Sequence, residues 1–459
     1  PEPTEFVDPF AAQPDADEGL TNVTEDLDAL LEHGDLIGAC DRYAANPGDR
    51  KLELLCGKYQ FFYEGFGTLG IPAVLFDALP ALFTDEVGPA YDKFGLVPHP
   101  SSPEGRPIGF GAGAPLGDQP TLALTCAACH FGQLPDGRYA VGAPNHGYDY
   151  GRHMLAILLV PQAISPTFDE ADHHPDAVRA VRPMLDRLDD EPLLGIQLGL
   201  DLLPLASSAG STPTPTVEQE GQYASWRTGT MDFVIAPLPV DDGIHTVSKI
   251  LALWGMPTDA EAAEAGMPNA MLAWTGGATS LQQFLTGFVQ IGGGDEAVWD
   301  AEALTPLQHY IESLRPPEPL DPGDVDQLAA GAAVFRDAGC IDCHGGPRGS
   351  GDRVYTFDEI GTDAAMADWA DPDGDGAPCC GLGDADTALT HGIKSPRLAG
   401  SAAFTRFLHN GSLSSLEELL CLVERPPSAG EPWGDEGHAF GCELPVTDRE
   451  ALVAYLRGT

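Results

Sequence analysis

The sequence predicts a mostly α protein in two domains with long loops, the N-terminal one enlarged by insertions. Three observations predict it. Two five-residue words of one pattern, Cys126-Ala-Ala-Cys129-His130 and Cys340-Ile-Asp-Cys343-His344, stand far apart in the chain. Apolar residues at helical spacing precede the second word and recur at the chain end. A Pro-rich stretch, Arg315-Pro-Pro-Glu-Pro-Leu-Asp-Pro-Gly323, lies between the words and reads as a linker. No strand pattern is strong anywhere, and 459 residues exceed one core of ordinary size.

Each word has the Cys-x-x-Cys-His spacing for covalent attachment of a c-type haem. Two thiols add across the two vinyl groups of one porphyrin, and the histidine beside them becomes the proximal iron ligand. With 10 Cys and 13 His in the chain, chance supplies roughly 0.006 such words. A zinc site would need a second Cys/His pair at ligand spacing for each word, and neither has one. Two haem c groups are therefore expected, held by Cys126, Cys129 and His130 and by Cys340, Cys343 and His344, which makes each unit a cytochrome c-like domain.

The elements follow in order around those words. Leu304-Thr-Pro-Leu-Gln-His-Tyr-Ile-Glu-Ser-Leu314 carries Leu307, Tyr310, Ile311 and Leu314 on one stripe, the closing helix of a domain spanning 1–317. The second domain, 318–459, opens with a helix capped by Asp324 or Asp326, running through Leu328, Gly331, Val334 and Phe335 to the word at Cys340. It closes on Asp448-Arg-Glu-Ala-Leu-Val-Ala-Tyr-Leu-Arg457, where Leu452, Tyr455 and Leu456 share a face and Gly331 allows close approach. Ala206-Ser-Ser-Ala-Gly-Ser-Thr-Pro-Thr-Pro-Thr216 reads as a low-complexity surface loop.

The net charge is −47, from 70 acidic residues against 23 basic ones. Such a field excludes nucleic acid and anionic membrane surfaces as partners. The acids are spread along the chain, which fits solubility in a salty medium; the functional alternative is steering of a cationic redox partner. The apolar stretches 154–164 and 193–205 are too short or too interrupted to span a bilayer. Haem is attached to such words outside the bacterial cytoplasm, so the expectation is a periplasmic or extracellular protein whose signal peptide has been removed. The other six cysteines form an even set for an oxidising compartment. Cys40 with Cys56 and Cys421 with Cys442 are the local pairs, which leaves Cys379 beside Cys380.

The order of motifs resembles the rubber oxygenase group of di-haem cytochromes and, more loosely, the bacterial di-haem cytochrome c peroxidases. The resemblance rests on the first word within Leu124-Thr-Cys-Ala-Ala-Cys-His-Phe-Gly-Gln133, on Trp226-Arg-Thr-Gly-Thr-Met-Asp232 and on Leu272-Ala-Trp-Thr-Gly-Gly-Ala-Thr-Ser-Leu281. Gly361-Thr-Asp363, Ile393-Lys-Ser-Pro-Arg-Leu398 and Phe407-Leu-His-Asn-Gly-Ser412 complete it, across residues 105–425. It implies that His409 is the distal ligand of the second haem, giving His344/His409 coordination. Read from residue type alone, Met366 and His391 stand as alternatives.

For the first haem the residue types offer His146, His153, Met154, Met231, His245 and Met271. The resemblance implies instead an open position walled by an aromatic side chain, with Trp274, Phe284 and Phe288 as distal-pocket candidates. The chain departs from the group at Thr275, where Asp is usual, and is shorter. Asp371-Pro-Asp373-Gly-Asp375-Gly376 opens like a calcium loop, but position 12 is Leu382, so it is no regular EF-hand.

The expected function is electron transfer between two covalently bound haems, with a redox protein or small oxidant as partner. The alternative is an oxidoreductase, peroxidase or apolar-substrate oxygenase, whose open N-terminal haem is fed by the C-terminal one. The oligomeric state is not legible.

Overall fold

The computed structural model describes residues 10, 20–102, 104–205, 215–231, 247–256, 258, 260, 274, 280–295, 297–319, 323–351, 353–363, 392–427 and 434–459. The chain is mostly α. Helices are begun by side-chain caps where the sequence supplies them: Asp49 accepts from Leu52 N ahead of Arg50–Tyr63, and Asp300 from Ala303 N ahead of Ala301–Ser313. These two helices pack so closely that a Cβ on Gly57 would lie 2.0 Å from the Pro306 carbonyl oxygen. The bridge Cys40–Cys56 ties Ala39–Ala45 to the first of them. Removing it with Cys40→Ala/Cys56→Ala is expected to lower stability by about 3 kcal/mol, read as a drop in the urea midpoint.

A second set of helices, Tyr150–Leu159, Pro175–Asp190, Pro192–Asp201 and Val217–Ser225, packs on residues 71–96. Its core holds Phe76, Tyr91, Tyr148, Tyr150, Met184 and Trp226. The absence of a strong strand pattern did not mean an absence of strands. Four small antiparallel sheets are present among the described residues, built from strands of two to four residues. An alternation that short leaves no readable period. Two of the sheets flank the first word: Thr121–Leu124 leads into it and Phe131–Gln133 leaves it.

Around the second word, helix Val325–Asp337 is capped by Asp324, which accepts from Asp326 N and Gln327 N. It crosses the terminal helix Val446–Arg457 at Gly331, where an added Cβ would sit 2.1 Å from Ala451 O and 2.5 Å from Tyr455 Cβ. Leu452, Tyr455 and Leu456 are buried there with Phe335, and Phe10 from near the start of the chain stacks edge-on against Phe335 and Tyr455. Gly331→Leu forces the helix backbones apart and is expected to cost about 3 kcal/mol in urea unfolding. Cys421–Cys442 is bridged, as its local spacing suggests, whereas Cys379 and Cys380 lie outside the described residues. No helix among the described residues is long and apolar enough to cross a membrane.

Candidate cofactor site

The first word forms a single helical turn, Cys126–His130, fixed at its start by the bond from Thr125 N to Gly109 O. It sits on a seam: Cys126 packs on the apolar cluster around Trp254, and Cys129 on the cluster around Tyr148. Both cysteines are free thiols, pushed up to about 12 by burial. His130 Nδ1 lies 2.9 Å from Leu251 O. A carbonyl only accepts, so Nδ1 carries the proton and Nε2 keeps the lone pair that binds a metal. Burial, reinforced by the Arg397 guanidinium, lowers this imidazole to about 4 and keeps it neutral.

The second word repeats that arrangement beside open space. His344 Nδ1 donates to Gly349 O at 3.1 Å, and burial, then the His438 ring, lowers it to about 4. Cys340, Cys343 and His344 line a cavity of about 390 Å³ whose apolar wall includes Phe335, Leu416, Leu420, Leu452 and Leu456. Its volume falls in the range of small-molecule and cofactor sites.

Across that cavity stands His438. Its ring centroid is 6.4 Å from that of His344, at 57° between planes. With metal–imidazole bonds of about 2.0 Å, two imidazoles on opposite sides of one ion place their centroids about 6.3 Å apart. His438 is half-buried, and its buried Nδ1 has no hydrogen-bond partner among the described residues. The loop that carries it is held from several sides. Arg425 donates to the carbonyls of Asp435, Gly437 and His438, the Cys421–Cys442 bridge follows, and His438 N donates to Ile360 O. His438 itself has φ +48°, a left-handed conformation that side chains adopt at a cost and that clusters at functional sites.

His409 lines the same cavity but faces other partners. Its Nδ1 lies 3.3 Å from Thr362 Oγ1, and its Nε2 lies 3.3 Å from Asp363 Oδ2, a contact out of line for a hydrogen bond. Met366 and His391 lie outside the described residues, as do Asp371, Asp373 and Asp375 of the expected calcium loop. No cluster of three metal-ligating side chains occurs among the described residues.

The candidates near the first word are dispersed. His146 has both nitrogens engaged, Nε2 with Ile250 O and Nδ1 with Thr405 N. His153 receives the Tyr148 hydroxyl at Nδ1, 2.8 Å away, within a shell of Phe76, Tyr91, Phe94 and Phe110. Met154 is core, Met231 is in the short strand Thr230–Met231, and His245 and Met271 lie outside the described residues. Phe284 and Phe288 share helix Leu281–Ile291, with Phe284 against the Trp254 cluster and Phe288 exposed. Trp274 lines the cavity of the second word, where its Nε1 donates to Lys249 O at 3.2 Å.

His146 and His153 are both held near 3 by burial, well below the ordinary 6.5. The unfolded chain therefore binds protons that the folded one refuses. Stability present above pH 6.5 is lost as the pH falls toward 3, by about 1.4 kcal/mol per pH unit for each histidine. His153→Phe is expected to flatten that slope between pH 6 and 4 relative to the parent in urea titrations; parallel curves would show that His153 does not contribute.

No protein-family model matches the chain, and no curated protein matches it. Among solved structures, hydrazine synthase of Kuenenia stuttgartiensis, pressurised with 20 bar xenon, is similar at 18% identity and a TM-score of 0.26. The match covers 53% of this chain and 79% of that one, a likeness too weak to argue from.

Proposed function

We propose that this chain is a di-haem c-type cytochrome, exported from the cytoplasm, that transfers electrons between two covalently bound haems. The observation that carries the reading is the second cavity, lined by a Cys-x-x-Cys-His word and by His438, whose ring lies 6.4 Å from that of His344, so that both imidazoles could hold one iron. Cys340 and Cys343 would anchor the group, each thiol adding S to one vinyl carbon and H to the other, with no external oxidant. His344 and His438 would hold its iron. Cys126, Cys129 and His130 would hold the first haem in the same way. The bound groups supply one-electron chemistry; the chain supplies neutral imidazoles, set by their hydrogen bonds to Leu251 O and Gly349 O, and an apolar wall that limits water.

The 247–254 segment links the two sites. Leu251 accepts from His130 on one side, while Leu251 and Ala252 line the second cavity on the other. Arg397 braces it by donating to Ala252 O and Trp254 O.

The test is a pyridine haemochrome count with optical and EPR spectra before and after reduction under CO. Two haems, both low-spin and silent to CO, are expected. Fewer than two haems would overturn the reading. A high-spin, CO-binding component from the first haem would make the protein an oxidoreductase, and turnover with H₂O₂ and apolar olefins would follow.

A further inference from the structure

The chain has five lysines, and two of them, Lys249 and Lys394, are buried in the wall of the second cavity. With a net charge of −47, carboxylates are abundant, yet among the described residues none lies within ion-pair distance of either ammonium. Lys58, the other buried lysine, does have one: Glu32 at 3.3 Å. A buried cation without a counter-charge is costly and ordinarily absent from cores.

Their surroundings do not replace the missing anion. Among the described residues, Lys249 Nζ donates once, to Arg406 O at 3.0 Å, and otherwise sits over the rings of Trp274, Phe404 and Phe407 at 5.4 to 5.6 Å. Lys394 Nζ has one long contact, 3.5 Å, to Ser395 O. Burial lowers both ammonium groups, Lys249 to about 7, and Arg397 adds to the effect on Lys394. The one carboxylate among the described lining residues, Asp342, is exposed. The two lysines flank one residue: Lys394 N donates to Trp274 O at 2.9 Å, and Trp274 Nε1 donates to Lys249 O. The wall thus carries a cationic edge beside apolar lining, open to a ligand with two negative groups.

We infer that Lys249 and Lys394 bind the two propionate carboxylates of the porphyrin anchored at Cys340 and Cys343. The inference rests on the haem reading above. Each ammonium retains donors for a carboxylate oxygen, and ion pairing restores the charge balance that burial removed. The lysines would then hold the macrocycle edge and raise the reduction potential, since a nearby positive charge favours the extra electron.

The haem-loaded protein with Lys249→Met, Lys394→Met and both together tests this, beside Lys249→Arg and Lys394→Arg. Haemochrome counts separate the two readings: a parent without haem at Cys340 and Cys343 overturns both, whereas two haems with an unmoved band overturn the lysine assignment alone. With two haems present, the propionate bending band in resonance Raman should shift and the potential of the second haem should fall in the Met variants. The Arg variants should keep both near parent values. If the double variant does not fold, the single variants carry the test. An unmoved band and potential overturn the assignment. So does a phosphate-induced Soret change present in the parent, absent in the Met variants and unaccompanied by a band shift, because that marks a free-anion site.

Discussion

On the di-haem reading, His438→Ala is expected to convert one haem from low-spin to high-spin and give it a CO band, while His409→Ala is expected to leave both low-spin. The difference follows from where the two imidazoles face. His438 stands opposite His344 at the spacing of a shared ion, with an unspent ring nitrogen. His409 is turned to Thr362 and Asp363. Its removal should act through the loop, since the His409 carbonyl also accepts from Lys249 N and the side chain is buried. A CO band after His409→Ala and none after His438→Ala would reverse the assignment. Free imidazole restoring the low-spin spectrum of His438→Ala would separate ligand loss from a distorted cavity.

On the same reading, Cys340→Ala/Cys343→Ala is expected to halve the covalent haem and to loosen the region around the second word. The reason is volume. Without its group, the cavity of about 390 Å³ is left with an apolar wall that has no partner atoms and faces entering water. The apolar lining, Phe335, Leu416, Leu420, Leu452 and Leu456, would collapse or open to solvent. Hydrogen exchange should show protection lost in helices Val325–Asp337 and Val446–Arg457 while Arg50–Tyr63 stays protected. Equal protection in both regions would mean that the cavity tolerates emptiness.

What could be read from the sequence was local. The Asp324 cap, the close crossing at Gly331 and the buried stripe Leu452, Tyr455, Leu456 depend on residues a few positions apart. The cysteine pairs 40–56 and 421–442 are likewise short-range. His438 was invisible for the opposite reason. It belongs to no periodic element, and apart from the nearby Cys421–Cys442 bridge its position comes from Arg425 and the Ile360 carbonyl, contacts that no spacing encodes. The resemblance points to His409 because its word is distinctive, and the structure places His409 in the wall of the same cavity. Trp274 was expected at the first word and lies at the second because its backbone pairs with Lys394, far along the chain. The short strands beside the first word escaped notice because they are held by partners rather than by their own pattern.

The wall of the second cavity has a consequence for how such a chain can be divided. Pro144, His146, Lys249, Leu251 and Trp254 line one side of it, and Phe335, His344, Leu416 and Leu456 are among the residues that line the other. A cut near residue 318 would therefore yield two pieces that each own half a binding site. The C-terminal piece would carry the anchoring thiols with one face of its prosthetic group exposed to solvent. Recombination that swapped either half for a foreign one would have to match the surface of the other, so the two halves are constrained to evolve as a single unit.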